Sequence, residues 1–336
     1  MSDIIMLAGG LALLLVGGEL LVRGSVAVAE RAGMSPLLIG LTLVGFGTSA
    51  PELVTSVQAS LAGSPGIAIG NIVGSNISNI FLILGLAAVV SPIVVASAAL
   101  ARDGMIVVAT AIAFTAVGHF WQLDRAVGAA ALVLLVTYLV YAWRQESRPR
   151  EVAVEGHTSA YERGEAFEEL HDGPLKSQPA AKRLAQRLGA LMPVLMALAG
   201  LALVVGGGKL LVDGAVGMAR AFGISETVIG LTIVAVGTSA PELVTSLVAA
   251  VRGHSAVALG NVLGSNIYNT LGIGGATALM APTGMPAEVV RFDNYVMVAA
   301  SVLLIVLARS GFRINRMEGA LLVACYAGYL WALWPK

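Results

Sequence analysis

Two glutamates, Glu52 and Glu242, lie in stretches of the chain that are otherwise free of charge. Each belongs to the sequence Gly-Thr-Ser-Ala-Pro-Glu-Leu-Val-Thr-Ser, which occupies residues 47–56 and recurs unchanged at 237–246. A charge at the centre of a membrane helix costs roughly 2.5–3.5 kcal/mol on insertion scales, so both carboxylates need compensation. Because neither copy contains Lys or Arg, the residue types predict a bound cation or proton. The alternative is a carboxylic acid kept neutral by hydrogen bonds.

Hydroxyl and amide side chains recur three or four residues apart around each glutamate and in the polar motif that follows it. Residues so spaced share one face of a helix. Calcium accepts 6–8 oxygen ligands, whereas transition metals favour nitrogen or sulfur, so this set favours a hard cation. The predicted side-chain ligands are Glu52, Thr48, Ser49, Ser75 and Asn79 in the first copy, and Glu242, Thr238, Ser239, Ser265 and Asn269 in the second.

Backbone carbonyls form the second class of predicted ligand. Pro51 and Pro241 lack an amide hydrogen and disrupt the preceding helical turn. A discontinuous helix would free carbonyls such as those of Gly45 and Ala235 to face a cation, which is tolerable where the backbone lines a cavity.

The composition excludes a water-soluble globule. Of the 336 residues, 57% are hydrophobic and only 12% charged, with 20 basic side chains balancing 20 acidic ones. No surplus positive charge exists to bind nucleic acid. A single cysteine cannot supply a multi-thiolate zinc site. The sequence therefore predicts an all-α polytopic membrane protein.

Ten windows of apolar residues could each cross a bilayer core, which is about 30 Å thick and needs ~20 helical residues. They are residues 4–22, 36–62, 66–90, 103–120, 126–143, 189–212, 225–252, 255–280, 291–309 and 318–334.

The chain is duplicated at an offset of 190 residues. Besides the glutamate motif, Gly70-Asn71-Ile-Val-Gly-Ser-Asn-Ile-Ser-Asn79 aligns with Gly260-Asn261-Val-Leu-Gly-Ser-Asn-Ile-Tyr-Asn269. Five predicted spans separate each position from its copy, and since five is odd the copies face opposite ways. Two inverted-topology repeats are typical of secondary transporters with a site near mid-membrane. We expect five-helix repeats at 1–143 and 189–336, containing the motif regions 40–80 and 230–270.

Residues 144–188 are predicted to be a largely disordered cytoplasmic linker. They carry eight basic and eight acidic residues and few large apolar ones, with a regulatory segment as the alternative. Helical spacing of leucines predicts that residues 180–191 lead into the sixth span. With the linker inside, the cytoplasmic side holds fifteen Lys and Arg and the outside five, which places both termini outside.

The two duplicated motifs resemble the alpha repeats of the Ca²⁺:cation antiporter superfamily, and are most similar to those of prokaryotic sodium/calcium exchangers. The resemblance implies ten helices, external termini and a diamond of four cation sites between the second, third, seventh and eighth helices. By motif position it implies central calcium ligands shared with sodium at Glu52 and Glu242, further oxygens from Thr48, Ser49, Thr238 and Ser239, and flanking sodium sites completed by Ser75, Asn79 and Ser265.

Two departures refine this resemblance. Some family members, including potassium-dependent exchangers, carry an acidic residue where this chain has Asn269, which argues against potassium co-transport. The cation/proton branch shows an additional glutamate in its Gly-Asn motif, which is missing after Asn71 and Asn261.

The expected function is secondary active exchange of sodium for calcium across the cytoplasmic (inner) membrane by alternating access. The alternatives are Ca²⁺/H⁺ antiport through the same glutamates and a passive cation channel. We expect no enzyme activity and no cofactor, since no P-loop, H-E-x-x-H or G-x-S-x-G motif occurs. The expected partners are Ca²⁺, Na⁺ and the lipid bilayer, with H⁺ or K⁺ as open alternatives, but no nucleic acid and no obligate protein partner. The glycine-rich first and sixth helices are expected to form the gate.

Overall fold

The computed structural model describes residues 2–32, 34–61, 63, 65–95, 100–146, 180–221 and 235–333. These residues form helices α1 (Ser2–Ala32), α2 (36–61), α3 (Pro65–Val90), α4 (100–120), α5 (Arg125–Glu146), α6 (Ala180–Ala221), α7 (235–251), α8 (255–280), α9 (Val289–Arg309) and α10 (Arg316–Leu333). Two short strands, β1 (Ile93–Val94) and β2 (Arg313–Ile314), complete the regular structure of these ranges. The protein is mainly helical, as its composition predicts.

Helices occupy the predicted spans as far as the described residues reach. Residues 147–179, most of the predicted linker, lie outside the described residues. Residues 222–234 also lie outside them, and these include the start of the predicted seventh span and the start of the second motif region. The structure extends α1 and α6 beyond the predicted windows 4–22 and 189–212. The predicted helical approach to the sixth span is confirmed, since α6 begins at Ala180.

Six helices of the described ranges are long and apolar enough to cross a membrane, or up to seven if the bent helix α2 counts as one span. Helix α8 is as long as α3, but it has Thr270, Gly272 and Gly274 where α3 has Ile80, Leu82 and Leu84, and these residues lower its mean hydropathy. Helix α7 is described only from residue 235 onward. Ten crossings therefore stay a prediction, while the polytopic class is supported by these six helices.

The helices differ in how deeply they lie in the bundle. In the most apolar part of α3, 78% of residues are buried inside the protein, against 22% in α5. The side chains of Val133 and Val136 on α5 are 65% and 59% exposed. Apolar surface of this extent suits contact with lipid rather than water. Helix α3, which carries part of the predicted site, is therefore central and α5 peripheral.

Helices α2 and α7 are both interrupted one residue before the Ala-Pro-Glu sequence. The segment Gly45–Thr48 of α2 ends at Ser49, and the chain bends by 44° into Ala50–Leu61. Helix α7 is divided in the same way at Ser239, between Ala235–Thr238 and Ala240–Val251. Because Pro51 and its counterpart have no amide hydrogen, the helical hydrogen-bond ladder cannot continue through these positions. The predicted interruption is present in both helices.

Equivalent turns follow the two interrupted helices. Gly63 has φ 75° after α2 and Gly253 has φ 78° after α7, and the two positions are 190 residues apart. This left-handed conformation favours glycine, which has no Cβ to clash. Loops also pair across the copies, since β1 pairs with β2 and Leu123 bridges to Thr283. The duplication therefore extends from sequence into local structure.

Helices α1 and α6 touch through their backbones. A Cβ added at Gly24 would lie 2.4 Å from the amide nitrogen of Ala197, and one added at Gly200 would lie 2.3 Å from that of Leu21. Small residues permit such close approach of membrane helices. Only glycine fits these two positions without a shift of backbone.

Candidate cation site

The interrupted helices place the two glutamates in one buried region. Glu52 and Glu242 are each 1% exposed, and their carboxylates are close enough to interact electrostatically. Each lies in the first turn of the helix segment that follows the interruption. The amino-terminal end of a helix carries a partial positive charge, which favours a carboxylate there.

Each glutamate accepts a hydrogen bond from the serine of the other copy. Ser49 Oγ donates to Glu242 Oε1 at 2.8 Å, and Ser239 Oγ donates to Glu52 Oε1 at 3.0 Å. Both serines are buried at the helix interruptions. The surroundings of each carboxylate are therefore formed by residues of both copies of the motif.

The second oxygen of each carboxylate is free for another group. Among the described residues, Oε2 of Glu52 and Oε2 of Glu242 have no hydrogen-bond partner. A buried polar atom without a partner carries an energetic penalty. A cation shared by the two oxygens would remove that penalty and offset the negative charge.

Three further predicted ligands lie beside the carboxylates or their serines, and a fourth, Thr238, contacts Asn71. Ser75 Oγ lies 3.3 Å from Ser239 Oγ, on the Glu52 side. The hydroxyls of Thr48 and Ser265 lie beside the Glu242 carboxylate. Thr238 lies at the end of the first segment of α7, and its hydroxyl donates to Asn71 Oδ1 at 3.3 Å. The structure thus brings the predicted hydroxyl groups of both copies together.

The carbonyl of Gly45 lies at this site but stays within the helical ladder. It accepts the amide of Ser49 at 3.2 Å and the hydroxyl of Ser265 at 3.5 Å. The expected release of this carbonyl is not found, because the chain bends at Ser49 instead of unwinding before it. Because the Ser265 contact is at the long limit of a hydrogen bond, it leaves one lone pair of this carbonyl available, and a role toward a cation stays a prediction. Ala235 begins α7, and its side chain lies outside the described part.

Asn79 and Asn269 are each 1% exposed and lie in π-helical turns, Asn79–Leu84 of α3 and Tyr268–Ile273 of α8. Asn79 Nδ2 donates to Asn266 Oδ1 at 3.0 Å. Within the described chain, Oδ1 of Asn79 and Oδ1 of Asn269 have no hydrogen-bond partner. Such turns are frequent at functional sites. Like the free oxygens of the two carboxylates, these two amide oxygens are buried and available to bind a cation.

Two asparagines that sequence reasoning gave no role also lie here. Asn71 Nδ2 donates to the carbonyl of Glu52 at 3.2 Å and to Ser56 Oγ at 3.0 Å. Asn261 makes the equivalent bonds, to the Glu242 carbonyl at 3.3 Å and to Ser246 Oγ at 2.9 Å, and accepts one from Thr48 Oγ1 at 3.2 Å. The duplicated Gly-Asn pair was visible in the sequence, but its bonds cross between helices and could not be derived from spacing.

The donors of the site are carboxylate, hydroxyl, amide and carbonyl oxygens. In the ranges that the structure describes, no group of three or more His, Cys, Asp or Glu side chains is placed to hold a metal ion. An all-oxygen set with two carboxylates suits a hard cation such as Ca²⁺ or Na⁺.

Several known proteins are similar to this chain in sequence and in fold. The family described as "Sodium/calcium exchanger protein" matches residues 2–144 and 192–334. The putative antiporter CaxA of Alkalimonas amylolytica is 36% identical over 97% of both chains. The sodium/calcium exchanger MaX1 of Methanosarcina acetivorans is 33% identical over 96% of this chain and 95% of its own. A solved structure of the sodium-calcium exchanger NCX_Mj, soaked with 10 mM Na⁺ and zero Ca²⁺, has a TM-score of 0.81 and 32% identity over 99% of both chains.

Proposed function

Because the chain belongs to the sodium/calcium exchanger protein family, and is therefore a multi-pass membrane cation antiporter rather than an enzyme, we propose that it exchanges sodium for calcium by alternating access. The observation that carries this proposal is the pair of buried carboxylates, each held by the serine of the other copy and each with a free oxygen. We place the exchange at the cytoplasmic (inner) membrane, with sodium entry driving calcium export.

The two carboxylates explain how one ion could be coupled to the other. Two negative charges neutralise one Ca²⁺, and sodium ions at the same oxygens can neutralise them in turn. An empty pair of buried carboxylates is too poorly neutralised to change sides within a membrane. Calcium and sodium therefore compete for the site, and the protein switches readily only when one of them is bound.

The proposed ligands keep the roles that motif position gives them. Glu52 and Glu242 bind calcium centrally and share in sodium binding, and their free oxygens support this assignment. The proposed supporting ligands are the hydroxyls of Thr48, Ser49, Thr238 and Ser239 and the flanking groups Ser75, Asn79 and Ser265. Asn269 and the carbonyls of Gly45 and Ala235 are proposed as further ligands.

The proposed architecture is two inverted five-helix repeats, 1–143 and 189–336, joined by a cytoplasmic linker over 144–188, with both termini outside. The paired bonds of the site, the equivalent turns at Gly63 and Gly253, and the loop pairing across the copies support it. Helices α1 and α6 act as the gate against the remaining helices.

Calcium flux in sealed proteoliposomes tests the coupling ion. Sodium, potassium and proton gradients are imposed one at a time, with the others collapsed. We expect an outward sodium gradient alone to drive calcium uptake. Uptake that follows only the proton gradient would replace this proposal with Ca²⁺/H⁺ antiport, which two buried carboxylates can also perform by binding protons. Unitary currents without counter-ion dependence would indicate a channel.

A further inference from the structure

Asn71 and Asn261 join each acidic helix to a threonine of the other copy. We propose that these two asparagines are positioning residues, which hold the ligands of both copies at the distance that calcium requires and so set the preference for calcium over sodium. The proposal rests on the proposed function, because it assumes that calcium binds between Glu52 and Glu242.

The amide of Asn71 is fully used. Its two N–H hydrogens can serve the Glu52 carbonyl and the Ser56 hydroxyl, both on α2, at 3.2 and 3.0 Å. Its Oδ1 accepts from Thr238 Oγ1, on α7, at 3.3 Å. Because donors and acceptor differ, this pattern also fixes which way the amide faces. One side chain on α3 therefore connects the acidic helix of its own copy to the threonine of the other.

Asn261 forms the same connection in the opposite direction. From α8 it donates to the Glu242 carbonyl and to Ser246, both on α7, and its Oδ1 accepts from Thr48 on α2. Asn261 and Ser246 are fully buried. The three bonds of each asparagine are thus repeated at positions 190 residues apart, which a chance contact would not produce.

The connection also orients the threonine hydroxyls. A hydroxyl has one hydrogen and two lone pairs. For Thr48 the hydrogen can point to Asn261 Oδ1 at 3.2 Å or to the carbonyls of Val44 and Gly45 at 3.0 and 3.4 Å. All three acceptors belong to the protein, so the hydrogen is directed to one of them and a lone pair remains for a cation. Asn71 provides the same acceptor for Thr238.

Calcium should depend on this arrangement more than sodium does. A divalent ion between the two glutamates needs oxygens from both copies at once, whereas a sodium ion is satisfied by part of the set. Removal of the Asn71 or Asn261 bonds should therefore lower the affinity for calcium, which contacts both copies, more than the affinity for sodium. For Asn71→Leu and Asn261→Leu, which keep the branching and the number of side-chain heavy atoms but remove the bonds, we expect about a tenfold loss of apparent calcium affinity. The loss for sodium should stay below about threefold.

The matched control is Asn76→Leu. Asn76 lies on the same helix as Asn71, is buried at 3% exposure, and donates to the Ile72 carbonyl of its own helix at 2.7 Å. The measurements are the half-saturating calcium and sodium concentrations and the maximal rate in proteoliposomes, together with calcium binding by calorimetry and the unfolding temperature in detergent. A merely structural role would lower the unfolding temperature without changing the ratio of the two affinities.

The milder variants Ser56→Ala and Ser246→Ala cover the case in which the leucine variants do not fold. They remove one bond of each asparagine, and we expect about a threefold loss of calcium affinity. Ser60→Ala on α2 is their control, since Ser60 donates to the Ala281 carbonyl at 3.2 Å. Equal losses for calcium and sodium, or variants that match their controls, would overturn the inference. A wild-type protein without calcium-dependent sodium flux would instead overturn the proposed function.

Discussion

The unpartnered oxygens of Glu52 and Glu242 make the sharpest prediction at the level of single residues. Glutamine keeps the shape of the side chain but cannot neutralise a cation. We expect Glu52→Gln and Glu242→Gln each to reduce calcium transport at least about 100-fold while the fold is kept, because a buried charge is removed and not added. Calcium-45 uptake and thermal unfolding measure the two effects.

The control for these variants is Glu288→Gln, which changes an exposed carboxylate before α9. It should leave uptake unchanged. Retained calcium uptake in either buried variant would remove that glutamate from the proposed site.

The exchanged serine bonds give a second prediction at this level. A hydrogen bond to a charged group contributes about 1.5–3 kcal/mol, so Ser49→Ala or Ser239→Ala should weaken calcium binding about tenfold or more. Calorimetric titration with calcium measures this loss. Each serine acts on the glutamate of the other copy, so Ser49→Ala should have little further effect when Glu242 is already replaced by glutamine. Additive losses would show that the serine acts on the ion directly and not through the glutamate.

The sequence identified the members of this site but not their connections. Buried charge, repetition and oxygen-bearing neighbours pointed to Glu52, Glu242 and the hydroxyl groups around them. The bonds from Ser49 to Glu242 and from Thr238 to Asn71 join residues more than 160 positions apart. Spacing along one helix carries no information about them, because they depend on how α2, α3, α7 and α8 pack.

At the level of helices, the backbone contact between α1 and α6 is the feature most sensitive to substitution. Gly200→Ala would place a Cβ 2.3 Å from the Leu21 nitrogen, so the two helices must separate. Overpacking of this kind costs typically 1–3 kcal/mol. We expect a lower unfolding temperature and loss of transport, measured on the same preparation. Gly206→Ala, on the same helix, meets nothing within 4 Å among the described atoms and serves as the control.

Helix positions were predictable to different extents. Apolar windows located the helices, and Pro51 and Pro241 located the interruptions, because a missing amide acts locally. Windows of hydropathy placed the ends of α1 and α6 too early, since both helices continue into polar residues. The π-helical turns, such as Asn79–Leu84, have no sequence signal of this kind and were not anticipated.

A contact between a tyrosine and an aspartate occurs in both copies but cannot be recognised from the 190-residue repeat. Tyr138 donates to the buried Asp103 at 3.0 Å, and Tyr329 donates to Asp293 at 2.8 Å. The aspartates are 190 residues apart, but the tyrosines are 191 apart. A gapless comparison of the two copies aligns Tyr329 with Leu139 and hides the equivalence.

At the level of the whole molecule, an ion pair joins the proposed gate to the helices that bear the site. Glu19 on α1 pairs with Arg252 at the end of α7 at 2.7 Å, with side chains 26% and 48% exposed. Pairs this exposed contribute about 0–1 kcal/mol, so Glu19→Gln or Arg252→Gln should shift the balance between gate positions by up to about fivefold. Distance distributions between spin labels on α1 and α7 measure the shift.

Arg23→Gln is the matched control, because Arg23 also pairs with Glu19 but lies on α1 itself. It should leave the distances unchanged. The exchanged pair Glu19→Arg with Arg252→Glu, made together with Arg23→Gln so that two arginines do not meet on α1, should restore the wild-type distribution. Failure of this restoration, with both single variants shifted, would attribute the effect to packing instead of charge.

The serine and glutamate bonds that cross between the copies also constrain how such a chain can evolve. After a gene doubles, its two parts are ordinarily free to diverge. Here a change at Ser49 alters the surroundings of Glu242, and a change at Ser239 alters those of Glu52. Selection therefore acts on pairs of residues taken from different copies. The mutations that one copy tolerates depend on the residues present in the other.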